Sequence, residues 1–289
     1  MKILVLGSNG QLGRCLADQF SGTDYETIFT SRADIDIADL SGAKDKITKL
    51  RPDLIINASA YTAVDKAEQD RDMAYLINHE AVANIAQICA ELGCGLIHVS
   101  TDYVFDGKAT EPYTETDITN PQGVYGESKL RGEQAIQSSG CRHIIVRTAW
   151  VFSEYGNNFL KTMLHLGMDR DELSIVSDQY GCPTYGQDLA RAIIVMCPSV
   201  GEFGFSSETF HFCGDIPCSW YGFAQAIFEC ARDKGLDAPR ILRPITTDEY
   251  HTTAVRPAYS VLDCGKSMNR YSLLKSDWRS AILSVIESL

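Results

Sequence analysis

Met1-Lys-Ile-Leu-Val-Leu6 runs straight into Gly7-Ser-Asn-Gly10-Gln-Leu-Gly13, and then into a segment with apolar residues at Leu12, Leu16 and Phe20. The first run is short and apolar with β-branched members, as a strand buried in a parallel sheet should be. Strand, glycine turn and helix in that order make a phosphate site. The glycines let the backbone approach closely, and the helix N-terminus presents free N–H groups to a pyrophosphate. The spacing Gly-x-x-Gly-x-x-Gly departs from the Gly-x-Gly-x-x-Gly of the usual dinucleotide fingerprint, and a tight turn with no ligand is the bland alternative.

Outward from this turn the chain alternates. Strands are expected at Glu26–Thr30, Leu54–Asn57, Leu96–Ser100 and His143–Thr148, with helices near Asp39–Leu50, Met73–Leu92 and from about Val124. That rhythm predicts an α/β fold, a Rossmann-type doubly wound parallel sheet covered on both faces. Beyond Phe152 the rhythm loosens. A short helix starts at Gly156-Asn-Asn-Phe159, a strand is expected at Glu172–Val176, and Asp178–Thr184 is rich in turn residues. Helices near Gln187–Cys197, Ser219–Asp233 and Asp277–Ser288 and a strand at Thr209–Phe212 follow. The division is a nucleotide-binding unit over 1–155 and a smaller C-terminal substrate-binding region over 156–289, some of whose segments return to the first unit. No repeat or low-complexity tract interrupts either part.

The stretch Pro121-Gln-Gly-Val-Tyr125-Gly-Glu-Ser-Lys129 carries the chemistry. On a helix the four-residue step stacks the Tyr125 phenol and the Lys129 ammonium on one face. A free phenol titrates near pH ~10, and a fixed ammonium beside it favours the phenolate and lowers that value. Tyr125 can then protonate a carbonyl oxygen while a hydride arrives at carbon. By itself Tyr-x-x-x-Lys more often marks a solvated helix face; the surrounding pattern raises its weight. Thr101, at the carboxyl end of a strand where doubly wound sheets bind ligands, is placed to hydrogen-bond the same carbonyl. After the second strand come Ser31-Arg32, Asp34 and Asp36. An acid there would hold a ribose 2′-hydroxyl and an arginine a 2′-phosphate, so NADPH and NADH both stay open, with Arg32 tilting towards NADPH. Ala58-Ser-Ala60 is small enough for a planar cofactor to lie against.

Composition excludes several classes. The chain has 289 residues, 45% hydrophobic and 22% charged, with a formal charge of -12 from 26 basic and 38 acidic residues. A net anion attracts neither a nucleic-acid backbone nor an anionic membrane. No apolar run is long enough to span a bilayer and no signal peptide precedes the first strand, so a cytoplasmic location is expected. The ten cysteines are scattered. Cys213 and Cys218 lack a second pair, which argues for reduced thiols over a metal site.

Together with Ser100-Thr-Asp-Tyr-Val-Phe-Asp-Gly107, Arg147-Thr-Ala-Trp150, Gly156-Asn-Asn-Phe159, Asp178-Gln-Tyr-Gly-Cys-Pro-Thr184, Arg256-Pro257 and Leu262-Asp263, these motifs resemble the extended branch of the short-chain dehydrogenase/reductase family. Within it the resemblance is to the dTDP-4-dehydrorhamnose reductases, over nearly the whole chain. It implies reduction of the 4-keto group of dTDP-4-dehydro-β-L-rhamnose by NADPH or NADH, the last step of dTDP-L-rhamnose synthesis. It further implies Tyr125 as general acid, Thr101 polarising the ketone, and Lys129 lowering the tyrosine pKa while holding the nicotinamide ribose. Gly7, Asn9, Gly10, Gln11, Leu12 and Gly13 would surround the pyrophosphate. Arg32, Asp36 and Ile37 would stand by the adenosine, and Ala58, Ser59 and Ala60 along the cofactor. Thr62, Val64, Asp65, Asp102, Tyr103 and Trp150 would face the dTDP-sugar.

Some members of the family are dimers bridged by Mg²⁺ on three glutamates. The matching positions here are Cys15, Gln187 and Glu287. A thiol and an amide are poor ligands for Mg²⁺, so no metal is expected, and the chain should be a monomer or a dimer of another kind. Two other readings stand beside the reductase: a non-catalytic regulatory subunit of the same fold, of the kind that partners methionine adenosyltransferase, and a related nucleotide-sugar epimerase or dehydratase. The dehydratases carry an acid pair near the Thr101 position, where this chain has Asp102 followed by Tyr103.

Overall fold

A computed structural model describes residues 1–200, 205 and 207–289. Its centre is a six-stranded sheet in which every neighbouring pair is parallel. The order across it is Glu208–His211, Arg142–Thr148, Gly95–Thr101, Leu54–Asn57, Lys2–Leu6, Glu26–Thr30. Chain order therefore reverses between Lys2–Leu6 and Leu54–Asn57, and the crevice outside the carboxyl ends at that switch point is where doubly wound sheets take ligands.

The continuous apolar run that opened the sequence has a simple cause. Successive strand residues point to opposite faces. Ile3 and Val5 pack on one face with Leu16, Leu189 and Ile193 of the helices Gln11–Phe20 and Gly186–Val200. Leu4 and Leu6 pack on the other with Ile47, Ile85 and Ile88 of the helices Leu40–Leu50 and Ala81–Leu92. A strand covered on both sides has no polar position to spare. A third apolar cluster joins the helices Phe159–Asp169, Trp220–Asp233 and Trp278–Ser288 through Leu160, Phe223, Ile227, Trp278 and Ile282.

The structure departs from expectation in several places, among them a helix Gly265–Tyr271 that the sequence reading lacks. The strand expected at Thr209–Phe212 lies at Glu208–His211 and joins the central sheet beside Arg142–Thr148. A strand Ile241–Ile245, unforeseen because Arg243 and Pro244 break its apolar pattern, pairs with Glu172–Val176. The long helix expected from Met73 starts at Arg71 and contains one wide turn, Leu76–Glu80, before continuing to Leu92. Wide turns of this kind often mark functional regions. Here the turn accompanies the inward placement of Asn78, whose amide takes Tyr61 N–H at 2.9 Å and donates to the Ser128 hydroxyl at 3.0 Å. None of the described helices is long and apolar enough to cross a membrane.

The helix Val124–Ser138 is tied to the sheet by a buried ion pair. Arg147 on the neighbouring strand donates through Nη2 to Glu133 Oε2 at 2.6 Å and through Nε to Oε1 at 3.0 Å. Its guanidinium also lies over the Phe105 ring at 5.1 Å. Removing one member leaves the other charged and dry, which costs more than the pair contributes intact. Glu133→Ala should therefore destabilise the protein by about 3–5 kcal/mol. Replacing both partners by methionine should recover most of that loss, as read from urea unfolding midpoints.

Candidate active site

A cavity of about 480 Å³ opens over the carboxyl ends of the central strands. Gly10, Gln11 and Leu12 line one end, Ala58, Ser59 and Ala60 the adjoining wall, and Thr62 and Val64 follow. Thr101, Asp102, Tyr103, Tyr125, Lys129 and Trp150 form the other side. Residues far apart in sequence meet here because the segments after the strands Lys2–Leu6, Leu54–Asn57, Gly95–Thr101 and Arg142–Thr148 all leave the same edge of the sheet, and the helix Val124–Ser138 brings Tyr125 and Lys129 against that edge.

The glycine turn is built for an anion. Gly7 and Ser8 N–H groups both donate to the Thr30 carbonyl at 3.0 Å, and Gly10 N–H donates to Gly7 O at 3.0 Å. Gly10 caps the helix Gln11–Phe20 with no side chain on the first N–H groups and no acid in the first turn. Those donors stay available to a negative ligand. A Cβ on Gly13 would stand 2.2 Å from the Gly7 carbonyl oxygen, so only glycine lets the helix close on its own turn. Gly7, Gly13 and the exposed Asn9 shape this turn without lining the cavity.

The residues expected beside the adenosine are also outside the cavity lining. Arg32 Nε donates to Asp36 Oδ2 at 3.1 Å, so the two residues that argue for opposite cofactors are paired. The Arg32 side chain is 77% exposed, free to leave that single contact. Ile37 is buried with Leu4 and Leu6. Asp65 is committed elsewhere: it accepts from Arg256 Nη2 at 2.8 Å and from Ala254 N–H at 3.1 Å, fixing the loop that carries Arg256-Pro257.

At the reacting end, Thr101 Oγ1 donates to Asp102 Oδ1 at 3.1 Å, and the Tyr103 ring meets Tyr125 edge-on at 5.5 Å. Lys129 Nζ is buried and donates to the Val99 carbonyl at 2.7 Å. Burial, rather than the neighbouring ammonium, governs the phenol here. Burial pushes Tyr125 up to about 12, with the Thr101 hydroxyl pulling back and Asp102 adding to the rise. The same burial takes Lys129 down to about 8 against the pull of Glu133. Desolvation disfavours whichever form is charged, which drives the phenol up and the amine down. Asp102 likewise rises to about 6, burial outweighing the hydroxyls of Ser260 and Thr101.

Three buried polar atoms on the cavity wall, Ser100 Oγ, Thr148 Oγ1 and Asp102 Oδ2, have no hydrogen-bond partner among the described residues. Buried groups of this kind call for a ligand or water, and their position fits a polar cofactor or sugar. Trp150 was expected on the sugar side; its partner Trp220 was not. Their rings stack face to face at 3.5 Å with 8° between planes, and both line the cavity. Nothing in the sequence around Trp220 signals this, because the contact joins a strand end to a helix start seventy residues on.

At the positions of the family's metal ligands, Gln187 Nε2 donates to Asp18 Oδ2 at 2.7 Å and to Glu154 Oε1 at 2.6 Å. Cys15 is wholly buried, its thiol pushed up to about 12 by burial, and Glu287 is paired with Lys234 at 2.5 Å.

The geometry has close counterparts. A dTDP-4-dehydrorhamnose reductase of Aggregatibacter actinomycetemcomitans is 41% identical over 98% of both chains. A crystal structure of a dTDP-4-dehydrorhamnose reductase from Clostridium acetobutylicum superposes with a TM-score of 0.92 at 40% identity, covering 99% of each chain. That of the Bacillus anthracis dTDP-4-dehydrorhamnose reductase, in complex with NADP, gives 0.91 at 34%, covering 100% of this chain and 99% of that one. The family described as the RmlD substrate binding domain matches residues 1–289, and the chain belongs to that family.

Proposed function

We propose that this protein reduces the 4-keto group of dTDP-4-dehydro-β-L-rhamnose to dTDP-β-L-rhamnose, with NADPH or NADH as reductant. The observation that carries the reading is the convergence of Thr101, Tyr125 and Lys129 on the cavity that also takes in the start of the Gly10-capped helix. Full-length similarity to enzymes named for this reaction supports the choice of sugar.

A nicotinamide bound in this cavity would supply the hydride for C4 of the sugar. This chain's residues manage the oxygen. Thr101 would polarise the carbonyl once its single O–H turns from Asp102 Oδ1 to the ketone, and Tyr125 Oη gives its proton to O4 as charge builds there. With its pKa near 12 the phenol is fully protonated at neutral pH, and the developing alkoxide is a far stronger base than a phenolate, so the transfer runs downhill. Lys129, when it carries a proton, stabilises the phenolate left behind until solvent returns the proton. Trp150 and Trp220 would wall off the sugar, while the Gly10 end of the cavity would hold the pyrophosphate. The amide donors of Gln187 sit between two carboxylates, which supports a monomer or a dimer that no metal bridges.

Tyr125→Phe should lower kcat for nicotinamide oxidation with this sugar by about 10²–10⁴-fold while NADPH binding stays intact. Wild-type protein that binds NADPH yet never oxidises it with dTDP-4-dehydro-L-rhamnose would overturn the proposal. Because Arg32 is the cation poised for a 2′-phosphate, Arg32→Ala should cut the ratio of NADPH to NADH affinity by about tenfold, measured by fluorescence titration of each.

A further inference from the structure

Beneath Lys129 lies a chain of hydrogen bonds whose direction is fixed at one end. The Ser59 main-chain N–H, which can only donate, points at Asn57 Oδ1 at 3.0 Å. Asn57 must then offer its NH₂ to the other side, where His98 Nδ1 stands 3.1 Å away. Nδ1 is therefore an acceptor, and a neutral imidazole carries its hydrogen on Nε2. Nε2 lies 3.3 Å from Lys129 Nζ. Asn57 and His98 are both wholly buried and paired in register on adjacent strands.

An ammonium has three donors and no acceptor, so Nε2–H against Lys129 in its charged form sets donor against donor. A neutral amine suits the site: its lone pair accepts from Nε2–H and one N–H goes to Val99 O. For Lys129 to hold a proton, His98 must move its hydrogen to Nδ1 and the Asn57 amide must turn over, leaving Ser59 N–H without an acceptor. Ser59 lines the same cavity, so the two ends of the chain lie on the proposed cofactor wall and beside Tyr125.

We propose that His98, keyed by Asn57, is a positioning residue whose tautomer sets the protonation state of Lys129 and links it to the Ser59 wall of the cavity. The sign follows from the lone pair: the Nε2–H tautomer disfavours the ammonium and the Nδ1–H tautomer favours it. The low proton affinities of Lys129 and of His98, both governed first by burial, agree with a neutral pair. Other groups do not supply this control. On its own helix Glu133 pulls Lys129 upward but is paired with Arg147, and Tyr125 is uncharged. On the turn after the strand, Asp102 and Tyr103 act on each other and on Tyr125; on the facing helix, Tyr75 couples to Glu127 and Arg131.

The inference deepens the reductase reading by adding a residue behind its lysine, yet its test needs no sugar. Imidazole ¹⁵N spectra and ε-¹³C-lysine spectra would be recorded across pH on the full chain without cofactor, with a Lys129→Met sample to assign the lysine signal. The expected result is the Nε2–H tautomer of His98 above the Lys129 midpoint, near pH 8, and a shift towards Nδ1–H below it with the same midpoint. Asn57→Asp, whose carboxylate can accept from both Ser59 N–H and Nδ1–H, should hold the Nδ1–H form throughout. It should raise the Lys129 midpoint by about one pH unit, the worth of roughly one hydrogen bond. The same rise should move the alkaline limb of kcat with NADPH. A His98 ring that is Nδ1–H at high pH, or whose tautomer ignores the Lys129 titration, overturns the proposal whatever sugar the enzyme takes. Should Asn57→Asp not fold, the wild-type spectra decide alone.

Discussion

The site depends on how closely the helix Val124–Ser138 approaches the end of the strand Gly95–Thr101. A Cβ on Gly126 would stand 2.2 Å from the Tyr103 carbonyl oxygen, so the helix lies with its backbone against the turn that follows Thr101. Glu68 Oε1 receives Val124 N–H at 2.8 Å and fixes the helix start, and Asn78 holds Ser128 one turn in. Only at this separation can a side chain one turn beyond Tyr125 reach down to Val99 O and His98. Lys129 is thus a strut between helix and sheet as well as a charge.

Burial is the consequence of that closeness, and it sets the electrostatics. A phenol and an ammonium in contact with water would each titrate near ordinary values, and the pair would favour the charged forms. Removed from water, the phenol is driven up and the amine down, so both rest uncharged at mildly alkaline pH. A protonated phenol is the form a carbonyl reduction uses, whereas a neutral lysine is not the form that best stabilises the phenolate produced. The buried hydrogen-bond chain through His98 and Asn57 lies where that balance can be moved, at the cost of breaking a contact on the opposite wall.

Sequence reading reached the fold because the doubly wound sheet writes itself plainly: strands buried on both faces are continuous apolar runs, and the glycine turn has one structural meaning between a strand and a helix. It brought Tyr125 and Lys129 together because helical spacing is local. It missed what is not local. Trp220 reaches the cavity only through packing of the third apolar cluster, and the inward turn of Asn78 comes from a wide helical turn with no pattern of its own. His98 carries no signal of its own in the strand sequence, and the register opposite Asn57 gives it a partner. Spacing reports which charges are neighbours but says nothing of how much water each loses.

Trp150 shows how the second half of the chain completes the first. It follows a central strand with φ of +48°, in the left-handed region that a bulky side chain occupies only under constraint. Such a conformation costs about 1–3 kcal/mol and persists where its surroundings over-determine it. Thr184 supplies part of that constraint, its hydroxyl bonding Ala149 O at 2.6 Å and its N–H bonding Trp150 O at 3.2 Å. Stacking on Trp220 supplies more, since an aromatic pair contributes about 0.5–1.5 kcal/mol beyond its buried area. Both Thr184 and Trp220 come from beyond residue 156. The conformation of the strained tryptophan therefore depends on elements from the C-terminal part of the chain, and the cavity wall it forms is built jointly by both parts of the sequence.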